Sequence, residues 1–205
     1  MSSEVVADPQ TAPANARKRD RRPEQTIRKV LDAGLEELHH TSFNTVTMRM
    51  VAARAGVSPA SAYTYFPSKS ALVAAIYLRL LRDAPVRTDV NQPTAERVST
   101  TLREMALVVA HEPELTAACS AALMADDPAV TPIREQIGAE VITRIQASLG
   151  PGWPPSVGTT LLMTFAGALM TARFLSFNQI AGQLDDAVNL VLSGAGQTPD
   201  QKTTV

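Results

Sequence analysis

The sequence predicts an all-α fold with two helical domains, a small N-terminal one and a larger C-terminal one. Ala, Leu and Val are abundant, whereas Phe, Trp and Tyr make up 4% of the 205 residues, and this composition favours helices over sheets. Apolar residues recur at spacings of three and four, and no stretch shows the alternation of a half-buried strand. Combinations of Gly, Pro and Asp interrupt this pattern at intervals typical of helices.

The charges are divided unevenly along the chain. Residues 1–90 hold 13 Lys and Arg against 9 Asp and Glu, whereas residues 91–205 hold 6 against 11. This asymmetry predicts a basic N-terminal module and an acidic C-terminal one. We expect a disordered basic arm at 1–22, a helical domain at 23–85 and a second helical domain at 86–205.

The cysteine count and the apolar runs bear on the cellular compartment. The single cysteine, Cys119, excludes an internal disulfide and agrees with a reducing cytoplasm. The N-terminus lacks the apolar core of a secretory signal. The longest apolar run, residues 161–177, contains Arg173 and is short for a membrane span. We therefore expect a cytoplasmic protein that does not span a membrane.

Local signals place the first two helices. Pro23 suits the first turn of a helix, and apolar residues then recur at helical spacing up to Leu38. The second helix is predicted to be capped by Thr45 or Thr47. It ends at Gly56, in the place where a left-handed residue is expected.

Similar signals place the helices that follow. Ser58 and Pro59 form the favoured start of a third helix, which ends at Phe66 because Pro67 cannot continue it. Ser68 then begins a fourth helix, predicted to end before Pro85. Further helices are predicted near 94–111, 114–125, 128–149, 155–179 and 182–193.

The second and third helices, joined by the turn at Gly56, form a helix-turn-helix unit. On the third helix, Ala62 and Phe66 are predicted to point inward with Val57. The opposite face offers hydroxyl and phenol groups, which can bond to base edges or phosphates of DNA. This face consists of Ala60, Ser61, Tyr63, Thr64 and Tyr65.

The stretch TMRMVAARAGVSPASAYTYFPSKSAL (residues 47–72) closely resembles the N-terminal domain of the TetR family of transcriptional repressors. That family has a Thr-led second helix, an AGVS turn, a short third helix with a YxYF motif and a Lys-led fourth helix. The family glycine in the turn after the first helix is replaced here by Ser42, which can form the same turn. The matching positions are Thr47, residues 55–58, Tyr63, Tyr65, Phe66 and Lys69.

The resemblance implies a residue-level DNA interface. Pro59, Ala60, Ser61, Tyr63 and Tyr65 would meet the major groove or its flanking phosphates. The alternative for Tyr63 is an aromatic ring packed between helices. Residues that would grip the DNA backbone are Thr47, Ser58 and Lys69, and Arg49 is added because its position is exposed.

The basic arm RKRDRR (residues 17–22) is open to two interpretations. It could enter a minor groove, or it could add general attraction to phosphates.

The resemblance also implies that the C-terminal domain forms a homodimer and binds a small effector. Small residues that allow close helix approach, together with apolar residues of the last helix, predict the dimer interface. The alternative is that these two helices are ordinary core helices. Arg173 could pair across this interface or meet a ligand carboxylate. The predicted interface residues are Gly158, Leu162, Phe165, Gly167, Leu169, Arg173, Leu184, Val188 and Val191.

The predicted effector pocket is apolar and rich in methionine, which adapts to irregular cavities. Few acidic residues occur there, so we expect a lipophilic or acyl ligand. Each of these residues could instead belong to the ordinary core. The candidates are Met105, Val109, Leu115, Cys119, Leu123, Met124, Ile137, Trp153, Met163, Met170 and Phe174.

Enzyme motifs are missing from the sequence. It contains no HExxH, no glycine-rich phosphate loop and no GxSxG. His39, His40 and His111 do not form a metal-binding spacing with Cys119, so no metal or cofactor is expected, and the first two are predicted to be a solvated helix end. The expected function is a ligand-responsive transcriptional repressor that releases its operator DNA. The alternatives are a DNA-binding activator or architectural protein without an effector, or a helical enzyme or carrier with a vestigial helix-turn-helix.

Overall fold

The computed structural model describes residues 22–85, 89, 91–172 and 174–196. Within these ranges the chain forms helices α1 to α9 and no strand, which confirms the all-α prediction. The predicted arm (apart from Arg22) and Arg173 lie outside the described residues. The helices are α1 (Arg22–His40), α2 (Met48–Ala55), α3 (Pro59–Tyr65), α4 (Lys69–Asp83), α5 (Thr94–Ala110), α6 (Pro113–Leu123), α7 (Thr131–Leu149), α8 (Pro155–Thr171) and α9 (Phe177–Gly196).

Side-chain caps and one glycine define the helix-turn-helix. The Thr47 hydroxyl accepts a hydrogen bond from the Met50 amide at 3.2 Å at the start of α2. Gly56 closes α2 with φ +66°, a left-handed conformation in which a side chain would be strained. The Ser58 hydroxyl then accepts from the Ser61 amide at 3.1 Å and begins α3. The sequence predicted Gly56 and Ser58 in these roles, and of the two candidate caps of α2, Thr45 and Thr47, the structure has Thr47.

Helix α1 holds the N-terminal helices together. It approaches α4 so closely that a Cβ added at Gly34 would lie 2.9 Å from Cδ1 of Ile76, so a larger residue there would require the Ile76 side chain to shift. Glu37, which is buried on α1, accepts a hydrogen bond from Nε of Arg54 on α2 at 2.6 Å. The helix-turn-helix is therefore fixed to α1 by packing and by a charged pair.

Helix α4 belongs to both parts of the molecule. Its residues 71–74 and 76–78 are buried, and it packs against α1 on one side and against α6 and α7 on the other. The remaining helices form a bundle in which α5 packs on α7 and α9, and α8 packs on α7 and α9. A displacement of α6 or α7 would consequently act on α4, which follows α3 directly in the chain.

The predicted boundaries of the last helices were wrong. Helix α8 ends at Thr171 rather than at 179, and α9 begins at Phe177 rather than at 182. The Ser176 hydroxyl lies 3.4 Å from the backbone nitrogen of Gln179, and the backbone N–H of Ser176 donates to the side-chain Oε1 of Gln179 at 2.9 Å. This reciprocal capping starts a helix without any glycine or proline signal. Gly182, the predicted first residue of the last helix, sits inside α9, where a helix tolerates it at a cost of about 1 kcal/mol.

Helix α7 also begins later than predicted, at Thr131 rather than at 128. Pro132 occupies its first turn, where a proline is favoured because the missing N–H has no helical partner. Among the described helices, none is long and apolar enough to cross a bilayer.

Candidate nucleic-acid interface and cavity

One side of α3 is buried and the other is exposed. Ala62 and Phe66 are buried against the N-terminal core, as the sequence predicts, and Val57 packs against the same core. On the opposite side Pro59, Ala60 and Thr64 are exposed, and the Tyr63 side chain is 50% exposed. An aromatic ring exposed to this degree is available for contact with another molecule.

Two predicted contact residues sit at the edge of this face. Ser61 and Tyr65 are half-buried, and Tyr65 packs against the N-terminal core. The Thr64 hydroxyl donates to the Ala60 carbonyl at 2.9 Å, so its proton is used within α3 while its oxygen remains able to accept. The exposed part of the face centres on Tyr63.

Three predicted backbone contacts lie at the edges of the helix-turn-helix. Thr47, Arg49 and Ser58 are exposed. The hydroxyl oxygens of Thr47 and Ser58 already accept hydrogen bonds from backbone amides, so their protons stay available to a phosphate oxygen. Capping and DNA contact are thus compatible at both positions.

Lys69 lies at the first position of α4 and has partners within the chain. Its Nζ donates to the Phe43 carbonyl at 2.6 Å and lies 4.4 Å from the centre of the Phe43 ring. The side chain is half-buried and clamps the loop between α1 and α2 to α4. The ammonium group has three N–H donors, and the hydrogen bond to the Phe43 carbonyl uses one of them.

The N-terminus of α4 is also occupied by a carboxylate. The Ser68 hydroxyl accepts from the Ala71 amide at 3.0 Å and donates to Oδ2 of Asp127, which lies in the loop between α6 and α7. The hydrogen bonds from Ser68 and Ala129, with a smaller contribution from the charge of Arg134, lower the pKa of the Asp127 carboxyl. Asp127 was not predicted as a functional residue, because its partner is 59 positions away in the sequence.

A cavity of about 360 Å³ lies between the C-terminal end of α6, α7 and α8. It contains four of the predicted ligand-binding residues, Leu123, Met124, Ile137 and Met170. Four residues predicted for the dimer interface line it as well, namely Leu162, Phe165, Gly167 and Leu169. The remaining lining residues are Arg134, Gly138, Val141 and Ala166.

The structure does not bring the other predicted ligand-binding residues to this cavity. Met105, Val109, Leu115 and Cys119 are buried in the packed core on α5 and α6. Burial raises the pKa of the Cys119 thiol to about 12, so the group is protonated at neutral pH. Three other candidates lie elsewhere: Trp153 is half-buried between α7 and α8, Met163 is exposed on α8, and Phe174 is exposed beside a second cavity of about 430 Å³.

Several residues predicted for the dimer interface pack inside the protein's own core. Phe165, Leu184 and Val188 have exposures of at most 1%, and a Cβ added at the buried Gly158 would lie 3.2 Å from Cδ1 of Ile142 on α7. The helical spacing of these residues correctly indicated an apolar face, but that face packs on the protein's own core. These four positions are therefore not available to a second chain.

Helices α8 and α9 do carry an exposed stripe, defined by Met163, Gly167, Gly182, Leu190 and Gly194. Met163 is 70% exposed and Leu190 75%, and the space above the three glycines is open. Of the predicted interface residues, Gly167 belongs to this stripe, and Val191, half-buried, lies beside it.

Arg134, on the first turn of α7, was not predicted. Its guanidinium donates from Nη1 to the carbonyls of Leu123 at 3.0 Å and Ala125 at 3.4 Å, and from Nη2 to the Thr131 hydroxyl at 3.2 Å. It thereby satisfies carbonyls at the C-terminal end of α6, which have no helical partners. Among the described residues that line the cavity, it is the one with a charged side chain.

His39 and His40 are exposed at the end of α1, as predicted, and each lies beside a carboxylate. Nε2 of His39 lies 3.0 Å from a carboxylate oxygen of Glu112, which precedes α6, and His40 pairs with Glu36 at 2.9 Å. His39 therefore joins α1 to the larger domain. In the described part of the chain, His, Cys, Asp and Glu do not cluster in a way that would hold a metal ion.

Comparison with known proteins places this architecture among transcriptional regulators. The pattern of "Bacterial regulatory proteins, tetR family" matches residues 30–76. The chain is 48% identical, over 96% of its length and 97% of the relative's, to the Mycobacterium tuberculosis protein described as "Uncharacterized HTH-type transcriptional regulator Rv0767c" (strain H37Rv). It is 26% identical to the "HTH-type transcriptional repressor KstR" of Rhodococcus jostii RHA1, over 84% of this chain and 85% of that one.

Solved structures share the fold. A TetR transcriptional regulator from Rhodococcus sp. RHA1 superposes with a TM-score of 0.71 at 20% identity, covering 80% of this chain and 96% of that one. Thermus thermophilus FadR, a TetR-family repressor solved in complex with lauroyl-CoA, gives a TM-score of 0.65 at 17% identity, covering 87% and 98%. At these identities the likeness establishes the fold.

Proposed function

Because the chain belongs to the TetR family of bacterial transcriptional regulators, we propose that it represses transcription as a homodimer and leaves its operator when a small lipophilic effector binds. The observation that carries this proposal is the division of α3 into a buried side and an exposed side centred on Tyr63. A short helix held by α1 and α2 in this way presents side chains to the major groove while its own packing is complete.

The DNA contacts follow from this geometry. Tyr63, with Pro59, Ala60 and Thr64 around it, is proposed to reach base edges, and Ser61 and Tyr65 to contact the groove wall. The backbone contacts are assigned to Thr47, Arg49, Ser58 and Lys69, which lie around the same face. Phosphate contacts fix the register of the protein on the duplex, whereas base contacts provide the sequence preference.

The dimer is proposed to form through the exposed stripe on α8 and α9. Apolar side chains as exposed as Met163 and Leu190, beside glycines with open space above them, suit the close approach of a second pair of helices. The two copies would form a four-helix interface. Such a dimer would present two α3 helices to half-sites about 34–36 Å apart.

The effector is proposed to occupy the cavity between α6, α7 and α8. Its lining is almost entirely apolar, which favours a lipophilic ligand over a cationic one. Thermus thermophilus FadR, which shares the fold, was solved in complex with lauroyl-CoA, and this supports a ligand with an acyl chain. A ligand that prefers a displaced α6–α7 loop would tilt α4 and change the separation of the two α3 helices.

The test has two stages. Genomic fragments retained by the protein are sequenced, and the recovered site is used in gel-shift titrations to measure operator affinity. Calorimetry then measures the affinity of an effector with and without operator DNA. Linkage requires that operator DNA weaken effector binding by the same factor by which the effector weakens operator binding. Equal effector affinity in both titrations would overturn the release mechanism.

A DNA-binding activator or architectural protein without an effector is the second candidate. The exposed face of α3 supports it equally, because the sign of regulation depends on where the operator lies. The Rhodococcus jostii relative is named a repressor, which favours repression here. Transcription measured from a promoter carrying the recovered site, with and without the protein, separates the two candidates.

A further inference from the structure

We propose that the effector is a small amphipathic anion, with an apolar body and a single carboxylate, and that Arg134 is the residue that recognises the anionic group. The proposal rests on the function proposed above and identifies the chemical class of the ligand. The observation behind it is the guanidinium of Arg134 at the edge of the cavity, where the other described lining residues are uncharged.

The cavity offers apolar and charged contacts in one place. Leu123, Ile137, Phe165 and Met170 provide a surface for a hydrocarbon body, and burying such a body is favourable in proportion to its area. The planar fork of Arg134 matches a carboxylate, which can accept two parallel hydrogen bonds from it. A neutral lipid would leave this match unused, and a cation would be repelled.

The present partners of Arg134 can be exchanged for a carboxylate. All three acceptors are neutral oxygens, namely the carbonyls of Leu123 and Ala125 and the hydroxyl of Thr131. A charged acceptor forms stronger hydrogen bonds with a guanidinium than a carbonyl does. A bound carboxylate would therefore compete with the end of α6 for the same donors.

This competition would act on the loop between α6 and α7. The loop carries Asp127, which accepts from Ser68 at the start of α4, and Val130, which packs on Ala71 and Ala74 of α4. Releasing the carbonyls of Leu123 and Ala125 loosens the side of the loop that faces the cavity. Arg134 would thus recognise the ligand and transmit its presence.

Other arginines in the chain show what a purely structural role looks like. Arg97 donates to the carbonyls of Ser148 and Leu149 at the end of α7, and the buried Arg144 donates to those of Arg82 and Ala84 at the end of α4. Neither lines the cavity. Arg97→Gln is consequently a matched control, since it removes the same type of contact at a site that does not line this cavity.

The experiment measures the affinities of decanoate and decan-1-ol for the full chain by calorimetry, below the concentration at which either aggregates. The parent is expected to bind decanoate about tenfold to a hundredfold more tightly than decan-1-ol, the factor that hydrogen bonds to a charged group supply. Arg134→Gln should bind decanoate and decan-1-ol with equal affinity. Its affinity for decan-1-ol should equal that of the parent, and this equality would show that the cavity is intact. Arg134→Lys should keep part of the preference, and Arg97→Gln all of it.

Three results would overturn the proposal: no binding of decanoate, equal binding of both compounds by the parent, or an undiminished preference in Arg134→Gln. The same samples are tested for operator release. If decan-1-ol releases the operator as well as decanoate does, the anion preference is wrong while the repressor function stands. If decanoate binds with the expected preference but leaves operator affinity unchanged, Arg134 recognises the anion and the proposed effector response is wrong.

Discussion

Asp127 in the α6–α7 loop accepts a hydrogen bond from Ser68, the residue that caps α4. The loop borders the cavity, and α4 packs against α1, which holds the helix-turn-helix, so this bond connects the two parts of the molecule across 59 positions of sequence. The carboxylate also lies at the positive end of the α4 dipole, which favours a negative charge.

Asp127→Asn should lower the stability of the fold at neutral pH, because the amide is a weaker acceptor for Ser68. The folded state lowers the pKa of Asp127, so its contribution is complete above the ordinary value of 3.8 and is lost as the pH falls through the lower folded value. Urea unfolding should show a difference between parent and variant at neutral pH that shrinks as the pH falls below 3.8. Asp126→Asn, at the exposed neighbouring position, is the control, and an equal loss in both variants would contradict the role of this bond.

Tyr63→Ala should weaken operator binding by about 1–3 kcal/mol while leaving binding to unrelated DNA nearly unchanged, if the ring contacts bases as proposed. Stability should change little, because the side chain is half exposed. Gel-shift titrations against the recovered operator and a scrambled duplex measure both affinities. Phe174→Ala, which removes another exposed aromatic ring from the far end of α8, should leave both unchanged. An unchanged operator affinity for Tyr63→Ala would remove this residue from the interface.

Lys69→Ala should weaken binding to all DNA sequences alike and reduce the slope of log affinity against log salt by about 1, since a phosphate contact releases counterions. It should also reduce stability, because Lys69 clamps Phe43. Phe43→Leu keeps the carbonyl acceptor and removes the ring, so it shows what loss of the ring contact alone does to stability. A stability loss with an unchanged salt slope would show that Lys69 serves only the fold.

Leu190→Glu should convert the dimer into a monomer of 21.9 kDa, because it places a charge in an apolar interface. The folding of one chain should not suffer, since the side chain is 75% exposed. Light scattering gives the mass and circular dichroism the helix content. Ala147→Glu, at an exposed position of α7, should remain dimeric. Retention of the dimer by Leu190→Glu would place the interface elsewhere.

The first four helices could be predicted from the sequence to within a residue or two, because short-range chemistry determines their ends. The hydroxyls of Thr47, Ser58 and Ser68 each cap an amide three residues ahead, and Gly56 adopts the left-handed turn. The same locality defines the buried side of α3, where Ala62 lies one helical turn from Phe66. The capping pair of Ser176 and Gln179 was equally local, and its pattern was available in the sequence.

The cavity and its connection to α4 depended on the tertiary structure. Helical spacing identified Leu162, Phe165 and Leu184 as apolar positions, but an apolar stripe can face a core, a cavity or a second chain, and the periodicity is the same in all three cases. In the packed structure Leu162 and Phe165 line the cavity, whereas Leu184 is buried within the chain. The sequence by itself determined where the first four helices begin and which side of α3 is buried, since those depend on neighbours within one turn. Only the packing of distant helices places Arg134 against the end of α6 and Asp127 against Ser68. The reason is that the sequence pattern around a charged residue does not indicate which distant residue it will contact.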